Sequence, residues 1–297
     1  MKKRLYQDKK YKVKFDDQKG YCRLFPIPTK KEVNDYYTQE FYDSSYTKQV
    51  NDSSKEVVKR DQQFFDLQHQ DMLAIITKHA PGKTILDIGC GYGAFLEYAN
   101  QHKFNVTGFD PVPQAVKYVK SKGINAQVSD IEDFSHYNKQ KFDTATLIHV
   151  LEHLRSPDDI LKSIHKNILK SKGLLIVKVP NEFNKLQTIA DKEYNLKQWW
   201  VSAPQHINYF SVDHLANLIS KSGFNVILKE STFPLEFFLL MGDKYVGHPK
   251  VGKTIHNKRI LFEKTLSQHD NNFKRQMYQK FADLGIGREI IIYAIKK

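Results

Sequence analysis

The stretch ILDIGCGYGAF, residues 85–95, runs from an apolar strand-like segment through three glycines into a helix-like one. TILDIG (84–89) reads as a buried strand ending in a glycine turn, and AFLEYANQH as the helix that follows. Gly89, Gly91 and Gly93 at such a junction let backbone come close to a ligand, with helix N–H groups aimed at it. Read as G-x-G-x-x-[GA], Gly89, Gly91 and Ala94 also fit a dinucleotide fingerprint. A tight turn with no ligand is the plain structural reading. Asp87 bears on the choice: it sits two residues before the first glycine. A pyrophosphate beside that carboxylate would be repelled, and a cationic ammonium or sulfonium ligand attracted.

Outward from this stretch the chain alternates. NVTGFD (105–110), INAQVSD (124–130), KFDTATLIHV (141–150) and GLLIVKVPN (173–181) read as strands two to five. Helices are expected over PQAVKYVKSKG and over about 150–169. SVDHLANLISKSGF (211–224) follows as a helix with Ser211 as N-cap, then NVILKES (225–231) as strand six and REIIIYAIKK (288–297) as the last. This order argues an α/β fold: a mostly parallel sheet with helices on both faces. Two long segments interrupt it, 182–210 and 233–287, the second expected to be a helical insertion before the last strand, and such insertions after strand ends build substrate sites in open sheets. The predicted organisation is an N-terminal tail with a tyrosine-rich helix-and-loop segment over 1–60, its first 20 residues frayed, and one domain over 61–297.

Two more acids end strands. Asp110 is placed to accept from ribose hydroxyls, or to cap the helix that begins near Pro111. Asp130 can accept from an adenine amino group, with Ile131 packed on the ring, or serve only as a loop acid.

As a set, ILDIGCGYG, GFDP, SDIEDF, FDTATLIHVLEHL and GLLIVKVPN resemble the class I S-adenosylmethionine-dependent methyltransferases, strongly over about residues 60–232 and again at the final strand. The resemblance implies a Rossmann-like seven-stranded sheet whose last strand is antiparallel and inserted between strands five and six. It implies S-adenosyl-L-methionine as cofactor, over the carboxyl ends of the first strands. The implied cofactor-binding residues are Asp87, Gly89, Cys90, Gly91, Gly93, Asp110, Pro111, Asp130, Ile131, His149 and Tyr37. Tyr37, Phe41 and Tyr42 resemble a lid region of related enzymes, and Arg60 is a candidate for the cofactor carboxylate or a plain surface charge.

IHVLEHL (148–154) contains H-x-x-E-H, a zinc peptidase signature that needs His149 and His153 on one helical face. His149 falls at the end of strand four, so the two histidines are not expected to share a helix. The resemblance places this string along the ligand cleft, with His149 near the methionine part of the cofactor. His153 is a general base, a substrate contact or a structural histidine. Glu152 is assigned no more than a cap or a bridge. APQHINYFS (203–211) resembles a step before strand six in small-molecule members, which puts His206 on the substrate side, as base or as loop anchor. Trp199 and Trp200 either line the substrate pocket or anchor the insertion.

Methyl transfer is an in-line displacement in which the cofactor supplies the electrophile. The protein aligns the nucleophile and excludes water, and often removes a proton. No metal is expected. Cys22 and Cys90 form no C-x-x-C, and the N-terminal cysteine pairs that some relatives use for zinc are missing.

The formal charge of +13 is mostly lysine and reads as a solvated surface, with polyanion binding as the other possibility. No run approaches the roughly 20 apolar residues of a membrane span, and residues 1–15 do not read as a secretory signal. A cytoplasmic location is the expectation. The function expected is methylation of a small acceptor at O or N, of sugar-like, polyketide-like or quinone type. The competing functions are NAD-dependent oxidoreduction, RNA or DNA methylation, and cofactor binding without turnover. Against nucleic acid, no [DN]-P-P-[YF] follows strand four.

Overall fold

The computed structural model describes residues 6–35, 62, 64–132 and 140–297. Tyr37, Phe41, Tyr42 and Arg60 lie outside these residues. The expected strands form: β3 (Thr84–Ile88), β4 (Asn105–Asp110), β5 (Asn125–Val128), β6 (Phe142–Ile148), β7 (Leu169–Pro180), β9 (Phe224–Ser231) and β10 (Glu289–Lys296). They make one sheet in the order β5-β4-β3-β6-β7-β10-β9. β3 pairs parallel with β4 and β6, and β6 with β7. β10 pairs antiparallel with both β7 and β9, so it is inserted between strands five and six of the domain as expected.

The strand sequences explain this stack. FDTATLI is buried at nearly every position and LLIVKV likewise, which only a strand covered on both faces tolerates. One core, with Leu86, Leu147, Val177 and Ile292, meets α5 (Pro157–Ser163) and α7 (Val212–Lys221). The other, with Ile85, Leu174, Ile176 and Tyr293, meets α3 (Ala94–Gln101), α4 (Pro113–Ser121) and the helix over residues 64–79, here α2. Ser211 caps α7 as predicted, accepting from the His214 N–H.

Three features depart from expectation. Residues 1–20 were expected to fray, yet β1 (Lys12–Asp16) and β2 (Tyr21–Phe25) form a hairpin. The hairpin gains a third strand from the distant β8 (Asn208–Tyr209). Tyr11, Val13, Leu24, Phe183, Trp200 and Tyr209 bury one another beneath it. Trp200 is 8% exposed in that cluster and meets Phe183 edge-on, so the tryptophans anchor the insertion. Secondly, the helix expected over 150–169 is split. A short 3-10 turn covers Leu151–His153, Pro157 starts α5 with its preset φ, and a wider turn covers Ile164–Ile168. Thirdly, segment 233–287 is helical as expected but carries one long kinked helix, α9 (Pro249–Asp283), with non-helical backbone at Asp270. The Lys274 ammonium on Asp71 and the Arg275 guanidinium on Glu230 pin its second half to α2 and β9. Among the described residues no helix is long and apolar enough to cross a membrane.

Candidate functional site

The sheet order reverses at β3: the chain steps outward to β4 and β5, then returns to β6 on β3's other side. Ligands of open α/β sheets bind at the carboxyl ends of the strands at such a switch point. Most of the residues predicted from sequence gather there.

The turn after β3 is left-handed at all three glycines, with φ of +74°, +51° and +77° at Gly89, Gly91 and Gly93. The Gly89 and Cys90 N–H groups donate to the Phe109 carbonyl at 2.7 and 2.9 Å. A Cβ on Gly89 would lie 2.4 Å from Val150 and 3.4 Å from Ile131, so the loops after β5 and β6 both close on this glycine. The Cys90 side chain turns into the core, where a Cβ on Gly108 would strike its sulfur, and burial pushes its thiol up.

Asp87 is 3% exposed and accepts the Thr146 hydroxyl from β6 at 2.6 Å. Burial drives its carboxyl up to about 7; the Thr146 hydrogen bond opposes the rise and nearby Asp110 adds to it. Asp110 accepts from the Gly91 N–H at 2.8 Å and the Val112 N–H at 2.9 Å, each on a different oxygen. Thus it ties the glycine turn to the start of α4, and the capping role foreseen for it is present. Burial raises its carboxyl too, against those two bonds. Pro111 follows at the exposed strand end. Asp130 pairs with Lys30 of α1 (Lys30–Asp35) and accepts from the Glu132 N–H.

Beyond β6 lies a chain of buried charges. His149 has φ +56° just after the strand, and the 3-10 turn follows, so His149 and His153 share no α-helical face. The His149 side chain keeps 41% of its surface open. Its Nδ1 is 3.4 Å from Glu152 and its Nε2 is 2.9 Å from Glu289, which also meets the Lys178 ammonium at 3.2 Å. Burial opposes charge on His149, but the two glutamates outweigh it and hold the ring up to about 9. His153 Nδ1 lies 3.0 Å from the Gln205 carbonyl, and His206 Nδ1 lies 2.8 Å from Glu182. The two rings meet edge to face at 4.9 Å between centroids. Burial lowers His153, whereas Glu182 raises His206 against its burial. Glu152, 1% exposed, has no hydrogen-bond partner on either carboxylate oxygen among the described residues. One donor atom each from Glu152, His153 and His206 lie within 4.8 Å of one another, close enough to share a cation.

His153 and His206 are therefore brought together, 53 residues apart in sequence. The sequence offers only a cap or bridge for Glu152 and no role for Glu182, Glu289 or Lys178. Glu152 had a signal in H-x-x-E-H. Glu182 follows VPN at the end of β7 but belongs to no pattern. Glu289 and Lys178 reach the site only through the β7–β10 pairing.

A methyltransferase-domain family profile matches residues 59–229. The chain is 36% identical over 128 residues to a ubiquinone biosynthesis O-methyltransferase of Glaesserella parasuis serovar 5 (strain SH0165), covering 39% of this chain and 54% of that protein. Against the protein of that name from Coxiella burnetii (strain Dugway 5J108-111) the identity is 33% over 121 residues, with 38% and 51% covered. The chain thus spans about half the length of the curated relatives it matches. Among solved structures, a possible histamine N-methyltransferase of Thermotoga maritima superposes with a TM-score of 0.52 at 19% identity, covering 85% of this chain and 98% of that one. A SAM-dependent methyltransferase of Archaeoglobus fulgidus gives 0.51 at 18%, covering 77% and 93%. At those identities the superpositions speak for the fold alone. The profile takes in more than half of the sequence, and on that ground the chain belongs to the class I methyltransferases that use S-adenosyl-L-methionine.

Proposed function

We propose that this chain transfers the methyl group of S-adenosyl-L-methionine to a small-molecule acceptor, at oxygen or nitrogen. The observation that carries the reading is the pair of buried carboxylates, Asp87 and Asp110, beneath a glycine turn at the switch point. That edge suits a sulfonium and repels a diphosphate. Each Asp110 oxygen accepts one backbone N–H and keeps a lone pair, enough for two ribose hydroxyls. Asp130 and Ile131 flank the adenine, whose amino group competes with Lys30 for the Asp130 carboxylate. His149, held cationic by its glutamates, faces the amino-acid end of the cofactor and attracts its carboxylate. The acceptor comes in against His153 and His206, under the helices of segment 233–287. An oxygen acceptor of quinone type is supported by the name of the relatives, ubiquinone biosynthesis O-methyltransferase.

Calorimetry with S-adenosylhomocysteine and with NADH tests the reading. The thioether should bind saturably and NADH should not. Asp110→Ala should weaken S-adenosylhomocysteine by at least about tenfold, the scale of one lost charge-assisted hydrogen bond. Unchanged affinity would remove the ribose assignment, and NADH binding in place of the thioether would remove the proposed function.

A further inference from the structure

The HVLEHL turn and the QHIN segment meet in a way that methyl transfer alone does not explain. Glu152 is 1% exposed, and among the described residues neither of its carboxylate oxygens has a hydrogen-bond partner. His149 Nδ1 at 3.4 Å and His153 Nε2 at 3.7 Å approach one of those oxygens, too far for good hydrogen bonds. An enclosed carboxylate of this kind is expensive unless its oxygens are met, and His149 stands 3.4 Å from one of them.

The two histidines beside it are oriented from behind. Glu182 holds His206 at Nδ1, and the Gln205 carbonyl holds His153 at Nδ1. Either contact fixes an Nδ1–H tautomer and turns the Nε2 edge away from its anchor. For His153 that edge points at Glu152. A carboxylate or backbone carbonyl behind each imidazole is the usual outer arrangement of a metal-bound histidine. Donor atoms of Glu152, His153 and His206 already fall within 4.8 Å of one another.

We infer that Glu152, His153 and His206 together bind one divalent first-row transition-metal cation, of the zinc class, through a carboxylate oxygen and two imidazole nitrogens. Two nitrogens and one oxygen select a borderline cation over Mg2+ or Ca2+, which take oxygen sets. Three protein ligands leave a fourth position for water or an acceptor oxygen. His149, engaged by Glu152 and Glu289, stays outside the ligand set. The site exists without reference to the methyl-transfer reading, whereas its use on an acceptor rests on that reading. It departs from the metal-free expectation drawn from the sequence.

The test uses the full chain, stripped with chelator and titrated with Co2+ and with Zn2+. Binding is followed by calorimetry and by the visible absorption of four-coordinate cobalt. The expected result is one saturable equivalent per chain with that absorption. Glu152→Gln and His206→Ala should each abolish it, and Glu182→Gln should weaken it about 10–100-fold through its histidine. Mg2+ should not compete. Binding that survives in the Glu152→Gln, His206→Ala double variant would overturn the proposal, and so would no saturable equivalent in the unaltered chain. Glu152→Gln keeps the side-chain shape, and S-adenosylhomocysteine affinity reports its fold. That ligand binding with no metal equivalent sinks the metal site alone; metal binding without that ligand sinks the methyl-transfer reading alone.

Discussion

Asp87→Asn should stabilise the unliganded protein at alkaline pH while harming its recognition of a sulfonium. Asp87 is 3% exposed and its carboxyl stands at about 7 against an ordinary 3.8, burial being the main cause. A raised carboxyl binds its proton more tightly when folded than when unfolded. Stability therefore falls as pH rises from the unfolded value to the folded one, then levels off. The full penalty is about 4 kcal/mol, from the shift at ~1.36 kcal/mol per unit. At pH 5 the folded chain still holds the proton and only about 2 kcal/mol of it is present; at pH 8 nearly all is. Asparagine can still accept the Thr146 hydroxyl but adds a buried N–H pair, costing roughly 1–3 kcal/mol at any pH. That constant cost cancels in a comparison across pH. The stability of the variant relative to the parent should thus improve by about 2–3 kcal/mol between pH 5 and pH 8. Urea unfolding of both proteins at the two pH values measures it. Binding supplies the other half: affinity for the cationic S-adenosylmethionine should rise with pH through about 7 relative to the neutral S-adenosylhomocysteine, and that rise should vanish in the variant. A pH-independent stability difference would refute the claim that burial sets this carboxyl.

Two further substitutions separate the parts of the cleft. Gly89→Ala forces a Cβ to 2.4 Å from Val150 at φ +74°, whereas Gly91→Ala at φ +51° meets nothing within 4 Å. Thermal unfolding should show the first losing more than about 2 kcal/mol and the second only about 1 kcal/mol of backbone strain; equal losses would mean that the loop after β6 does not close on Gly89. His206→Ala should cut turnover at least about tenfold with S-adenosylhomocysteine affinity within about twofold of the parent, the pattern of a group that acts on the acceptor side. Turnover that matches the parent would take His206 out of the chemistry.

The glycine-turn side of the candidate site was legible because its placement is local. Asp87, the three glycines and Asp110 occupy strand ends that periodicity alone locates, and the sheet order then brings them together. The histidine side depends on contacts that sequence spacing does not encode. Glu182 and His206 meet through a loop with no period, and Glu289 reaches His149 because β10 inserts next to β7. The N-terminal hairpin was missed for a related reason. KVKFD is lysine-rich and short, and its sheet is completed by two residues almost 200 positions away. A two-residue strand makes no pattern, so only the shared burial of Tyr11, Leu24 and Tyr209 declares it.

That hairpin also braces the turn that carries Glu152 and His153. Asn208 of β8 donates to the Leu151 and Leu154 carbonyls at 3.1 and 2.6 Å, and accepts from Arg23 Nε of β2 at 3.0 Å. Arg23 in turn donates to the Arg155 carbonyl at 2.7 Å, and the Ile207 N–H donates to the Glu152 carbonyl at 2.8 Å. The turn bearing Glu152 and His153 is thus held from both sides by the segment bearing His206. Asn208 is fully buried, so Asn208→Ala strands two carbonyls and one guanidinium N–H and should cost about 2–4 kcal/mol. Because these bonds lie away from β3 and β4, the loss should fall on one end of the cleft. S-adenosylhomocysteine affinity should stay within about twofold, while turnover and metal uptake fall together. Hydrogen exchange gives the same partition: faster at residues 151–154 and 206–209, unchanged at 84–93. Exchange that accelerates equally at the glycine turn would mean that the two halves of the cleft are one cooperative unit, and that the hairpin supports the whole sheet rather than the acceptor side.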